Sequence, residues 1–150
     1  MGATGTIEHD RRYDRADELM TNIIDMWGAW DSDAILFDKE NGVFADPEKV
    51  RSYDFQGEWF QTRGTFTVPP SPQGHPVIVQ AGQSGRGRQF ACEWGEVIFT
   101  IQNNVERGVQ VRNEMREEAA QQGRDPDTIA ICPAVYVTTG ETQAIAEDKY

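Results

Sequence analysis

A chain of 150 residues suits one domain, and 38% hydrophobic content with four Trp, seven Phe and four Tyr supplies enough core material to exclude wholesale disorder. Apolar runs of only about four residues are far short of the roughly 20 that cross a bilayer, and no basic-then-apolar leader opens the sequence, so no membrane partner and a cytoplasmic location are expected. A formal net charge of −11, from 14 Lys and Arg against 25 Asp and Glu, argues against nucleic acid as a partner but leaves room for a local anion site.

Residues 1–10 are small, polar or glycine-containing and read as a loop. Between residues 16 and 30, Ala16, Leu19, Met20, Ile23, Ile24, Trp27 and Trp30 recur at three- and four-residue steps. That stripe predicts an amphipathic helix, with Asp14 and Asp17 favouring its N-terminus and a stop between residues 28 and 32. Residues 31–75 show no long periodicity and carry Pro47, Pro69, Pro70 and Pro72. The pieces Tyr53-Asp54-Phe55 and Trp59-Phe60-Gln61-Thr62 predict a hairpin around Gln56-Gly57. So long a loop inside a compact domain is expected to be an insertion or lid.

From residue 76 the chain becomes regular. Pro76-Val77-Ile78-Val79-Gln80-Ala81 has the β-branched character of a strand buried on both faces. Gly82-Gln83-Ser84-Gly85-Arg86-Gly87 forms a glycine-rich turn, and a short helix is expected over 88–94. Val97-Ile98-Phe99-Thr100 is a second strand. A helix over 104–122 follows, with Val105, Val109, Val111, Met115 and Ala119 on its apolar side and Gly123 and Pro126 closing it. A third strand run covers 129–137, and a last helix 141–150. Alternating strands and helices predict an α/β fold with a parallel sheet. Three strands rarely complete such a domain, so the expected fold is part of something larger, with 1–30 as loop and helix, 31–75 as insertion and 76–150 as βα repeats.

The glycine turn is the first candidate for chemistry. A turn between a buried strand and a helix gathers free backbone N–H groups at a positive dipole end, where an anion fits. Ser84 offers a hydroxyl, and Arg86 or Arg88 offers charge. The spacing is G-x-x-G-x-G, not the dinucleotide G-x-G-x-x-G, and Arg88-Gln89 replaces the Lys and hydroxyl of a P-loop. A non-redox phosphate or nucleotide site and a plain βα turn both remain compatible with these residues. The block His9-Asp10-Arg11-Arg12-Tyr13 can cap a ring or an anion, or lie solvated with Tyr13 packed on its helix. Trp59, Phe60 and Phe66 can wall a ligand or fill a core. His9 and His75 stand in no nucleophile or metal spacing, so no metal is expected, and Cys92 and Cys132 read as buried thiols in a reducing compartment. Any redox chemistry therefore calls for a bound cofactor.

The segment 63–84, running RGTFTVPPSPQGHPVIVQAGQS, resembles flavin-dependent monooxygenases of the bacterial luciferase superfamily, the group acting on nitrilotriacetate, EDTA, dibenzothiophene sulfone and long-chain alkanes. His9-Asp10-Arg11-Arg12-Tyr13-Asp14-Arg15-Ala16-Asp17-Glu18, Phe44-Ala45-Asp46-Pro47 and Gly57-Glu58-Trp59-Phe60 are similar to further segments of that family, in the same order. The resemblance implies part of a (β/α)8 TIM barrel, about its strands 5–7, with the site at the C-terminal strand ends. It implies reduced FMN from a separate NAD(P)H:flavin reductase, O2 and a small organic substrate, and a homo-oligomer at full length. Matched by position, Gly82, Gln83, Ser84 and Gly85 would hold the FMN phosphate and Tyr13 would contact the flavin or its phosphate tail. Thr65-Phe66-Thr67 and Pro70 depart from the family pattern beside the substrate region, and the catalytic residues would lie outside this chain. The 150 residues alone are expected not to oxygenate, or to be an inactive truncated product.

Overall fold

The computed structural model describes residues 5–83 and 85–150. Helix α1 spans His9–Trp27, so it begins well before the apolar stripe and takes in residues expected to be loop. The Glu8 carboxylate explains the early start, because it accepts from the N–H groups of Asp10 and Arg11, both at 3.1 Å, and satisfies first-turn donors. Gly28 closes the helix by donating to the Ile24 carbonyl.

The next segment holds two antiparallel hairpins. Strands β1 (Ile35–Asp38) and β2 (Val43–Ala45) pair around Gly42, whose φ of 69° suits glycine. A 3-10 turn at Pro47–Lys49 follows. Strands β3 (Tyr53–Gln56) and β4 (Gln61–Gly64) form the hairpin expected from sequence, with Gln56 opposite Gln61. Its turn is residues 57–60, so the second strand starts two residues later than Trp59.

Three parallel strands make the remaining sheet in the order β5-β6-β7: Val79–Gln80, Val97–Thr100 and Ala130–Pro133. Between them run α2 (Gly85–Trp94) and α3 (Val105–Gln121), with α4 (Gln143–Lys149) after the last strand. The core lies between the sheet and one helical layer. Ala91 and Cys92 of α2, Ile98 of β6, Val111, Met115 and Ala119 of α3, and Ile129 pack there. Arg124 ties the layer together, its Nη1 donating to the carbonyls of Cys92, Glu93 and Gly95 at 2.8–3.1 Å and so capping the end of α2.

Two expectations about the strands need correction. Burial on both faces does not hold for 76–81: Val79 is 65% exposed, and Phe99 on β6 is 41% exposed, because the helices cover only one face of this sheet. The third run pairs only over Ala130–Pro133, while Val135, Tyr136 and Val137 are exposed. Among the described residues no helix is long and apolar enough to cross a membrane.

Candidate functional site

Parallel pairing places the C-terminal ends of β5, β6 and β7 on one side of the sheet, and the chain leaves β5 there as Ala81-Gly82-Gln83. Helix α2 starts at Gly85, three residues earlier than the sequence suggested, so Arg86 and Gly87 belong to its first turn. First-turn N–H groups have no carbonyl partner within their own helix, so this end of α2 carries backbone donors and the positive end of the helix dipole.

Glycine is needed here for two different reasons. Gly85 has φ of 38°, in the left-handed region, and a Cβ added to it would meet nothing within 4 Å, so conformation and not crowding favours glycine there. At Gly82 the backbone rests directly on Gly87, and a Cβ would collide with the Gly87 carbonyl. The Tyr13 hydroxyl lies against the same spot, 2.6 Å from where a Cβ on Gly87 would stand. Tyr13 is held there by Phe90, ring centroids 5.6 Å apart, and by His9 at 5.3 Å. The fold thus brings Tyr13 from α1 onto the Gly82–Gly87 turn, from about seventy positions away in sequence. Gln83 accepts at its side-chain oxygen from Gln102 Nε2 at 3.0 Å, which joins the turn to the end of β6. Ser84 lies outside the described residues.

The arginines expected to add charge to the turn are already engaged. Arg86 pairs with Asp14 at 3.4 Å and with Asp17, and its side chain is only 19% exposed. Burial works against that charge, but the Asp17 and Asp14 carboxylates outweigh it and hold the pKa above the ordinary value. Asp17 also accepts from Trp94 Nε1 at 2.8 Å. Arg88 pairs with Glu114 at 3.1 Å and Glu118 at 2.7 Å. An anion at this turn would therefore meet peptide N–H groups, a helix dipole and a phenol, while these two guanidinium groups stay with their carboxylates.

A second construction was not visible in the sequence. Glu18, on another face of α1, accepts from the backbone N–H groups of Glu58, Trp59 and Phe60 at 2.8, 2.9 and 2.7 Å. Burial pushes this carboxyl up, but the three donors outweigh it and the net pKa lies below the ordinary glutamate value. A Cβ on Gly57 would overlap the Glu18 carboxylate, so glycine there lets the carboxylate sit on these donors. The Arg11 guanidinium stands 4.9 Å over the Trp59 ring, and Arg15 stands 5.2 Å over Phe60. Trp59 and Phe60 are therefore packed along α1. Phe66 is elsewhere: its carbonyl accepts from Trp30 Nε1 at 2.6 Å, and it lines a groove of about 370 Å³ with Trp27, Val68 and Pro69. That groove sits at the C-terminal end of α1, about 21 Å along the helix from Tyr13. His75 stacks on Trp27 there, so only His9 of the two histidines is near the turn. Among the described residues no group of three or more His, Cys, Asp or Glu is placed to hold a metal ion.

The profile of the family described as luciferase-like monooxygenase matches residues 1–150. Dibenzothiophene-sulfone monooxygenase of Rhodococcus erythropolis is 47% identical over 148 residues, 99% of this chain and 33% of that protein. The crystal structure of a long-chain alkane monooxygenase superposes with a TM-score of 0.90 at 38% identity, covering 99% of this chain and 34% of its own. A riboflavin lyase crystallised with modified FMN and the substrate riboflavin also gives a TM-score of 0.90 at 38% identity, covering 97% of this chain and 32% of its own. This chain spans about a third of the length of the relatives it matches, and its mixed α/β fold corresponds to part of their TIM barrel. The matches bear out the expected resemblance, and the chain belongs to the luciferase-like monooxygenase family.

Proposed function

We propose that these residues form the phosphate-binding part of an FMN-dependent monooxygenase. The observation that carries this reading is the meeting of the Tyr13 hydroxyl with the glycine turn at the start of α2, on the C-terminal side of the parallel strands. The residues present fit a phosphate monoester. The first turn of α2 supplies backbone N–H donors, and the Tyr13 hydroxyl beside Gly87 adds another. Each such hydrogen bond to a charged oxygen contributes about 1.5–3 kcal/mol, and the helix dipole adds about 0.3–1 kcal/mol. Gly82 and Gly87 keep the turn tight, Gly85 sets its entry into the helix, and Gln83 is steadied by Gln102. Ser84 is assigned to the same cradle by its position between Gln83 and Gly85.

Bound reduced FMN would supply the electrons that activate O2 for transfer of one oxygen atom to a small organic substrate. The work of this chain is to seat the phosphate and so fix where the flavin ring lies relative to the strand ends. Reduced FMN would come from a separate NAD(P)H:flavin reductase, and the full-length enzyme is proposed to be a homo-oligomer.

The test is a flavin fluorescence titration of the purified chain beside a Ser84→Ala, Gly85→Asp double variant. Binding at micromolar FMN by the parent, weakened at least about tenfold in the variant, is the expected result. A parent chain shown to be folded by circular dichroism that leaves FMN fluorescence unchanged overturns this reading.

A further inference from the structure

We infer that Asp17 is a positioning residue for the phosphate turn: it fixes α2 against α1, and thereby aims the N–H groups of Gly85, Arg86 and Gly87. The inference rests on the reading of the turn as a phosphate site. Its basis is the way one carboxylate divides its oxygens. Oδ2 pairs with Arg86 in the first turn of α2, and Oδ1 accepts from Trp94 Nε1 at the helix's last residue. Residues 86 and 94 are about 12 Å apart along a helix axis. A single group that holds both restrains sliding and rotation of α2.

The partner helix sets the register. Tyr13 and Asp17 are four residues apart on α1, so they share a face. The donor that reaches the turn and the carboxylate that clamps α2 therefore move as one body. Asp14, one turn before Asp17, takes part of the Arg86 guanidinium at 3.4 Å. Its contact is longer and reaches only the first turn, so it cannot replace the hold on Trp94. Without Asp17, the Trp94 N–H loses its acceptor; α2 keeps its core contacts, the Arg124 cap and the Arg88 pairs to α3, but against α1 mainly the Phe90–Tyr13 contact and the longer Asp14–Arg86 pair remain. The first turn would then drift relative to Tyr13. Asp17 does not touch the anion in this scheme. Its carboxylate would repel a phosphate placed beside it, and pairing with Arg86 offsets that charge.

The measurement compares FMN with riboflavin, which lacks the phosphate, in parallel fluorescence titrations of the parent, Asp17→Asn, Asp17→Glu and Trp94→Phe chains. The expected result is an FMN affinity about tenfold weaker in Asp17→Asn and about threefold weaker in Trp94→Phe. Riboflavin affinity should change by less than about twofold, and Asp17→Glu should recover part of the FMN loss. Without flavin, amide hydrogen exchange at residues 89–94, whose N–H groups are bonded within α2, should quicken in Asp17→Asn while residues 109–121 keep the parent rate. Equal losses for FMN and riboflavin, or unchanged exchange at 89–94, overturn the role of Asp17 and leave the phosphate reading standing. A parent that binds riboflavin as tightly as FMN overturns both. Should Asp17→Asn fail to fold, Trp94→Phe and Asp17→Glu decide by the same FMN-to-riboflavin ratio.

Discussion

The βα layer and the two hairpins of residues 31–64 are held by different physics. The βα layer closes on an apolar core of side chains from α2, β6 and α3, with Ile98 and Met115 fully buried. The hairpin β3–β4 has little core of its own and is fastened to α1 by polar contacts: Glu18 on three backbone N–H groups, Asn22 Nδ2 on the Thr62 hydroxyl at 2.8 Å, and Arg11 paired with Glu58 at 2.6 Å. Burial is non-directional and tolerates rearrangement, whereas a carboxylate seated on three donors works at one geometry only. The layer thus supplies stability, and the clasp supplies placement of a segment that could not hold its position by burial.

Removing apolar volume should break this contrast at its stronger side. Met115→Ala empties a fully buried site between α3 and the Cys92 region, and the expected loss is about 2–5 kcal/mol of global stability, read by urea denaturation. A loss below about 1 kcal/mol would mean that the layer is not the stabilising unit.

Breaking the clasp should act locally. Glu18→Ala should lower the urea midpoint less than Met115→Ala does but expose residues 57–60 to proteolysis, because the N–H groups of Glu58, Trp59 and Phe60 lose their acceptor. The pH dependence carries a definite sign. Burial raises the Glu18 pKa, the three donors together lower it by more, and the folded value ends below the ordinary 4.5. A depressed carboxylate stabilises fully above its unfolded pKa, and that contribution is lost as pH falls through the folded value. The Trp59 and Phe60 amide resonances should therefore titrate together below 4.5, and the step should vanish in Glu18→Gln. Titration at or above the ordinary value would show that the carboxylate is not seated on these donors.

The same contrast explains what could be read from the sequence. Strand β6 coincides with the run Val97-Ile98-Phe99-Thr100, and α3 differs from its expected bounds by one residue at each end, because a buried apolar pattern writes itself into neighbouring positions. The β1–β2 hairpin was missed since Leu36, Phe37 and Phe44 are exposed and show no alternation with a buried face. The early start of α1 rests on Glu8, an unusual cap, and its first turns pack through Tyr13 and Arg11 instead of an apolar stripe. At the site, the glycines and Tyr13 were legible, since each carries a local signal and the family resemblance linked them. The captures of Arg86 by Asp17 and of residues 58–60 by Glu18 span 69 and about 40 positions, and such pairings leave no mark on local spacing.

The two cysteines carry the comparison to its smallest scale. Cys92 belongs to the apolar layer, fully buried with its Sγ 3.4 Å from the Met115 carbonyl, while Cys132 lies exposed on β7. Burial, reinforced by the negative charge of Glu118 and opposed by Arg88 and Arg124, raises the Cys92 pKa to about 11. Since the thiolate is the reacting species, an alkylating reagent at neutral pH should label Cys132 and leave Cys92 intact, as read by peptide mass. The fold should be unchanged by that label, because Cys132 takes no part in the packed core. Met115→Ala should raise labelling at Cys92 by opening the space beside it. Parent Cys92 reacting as fast as Cys132 would mean that the helices and sheet part readily, and the layer would then be no firmer than the hairpin it was compared with.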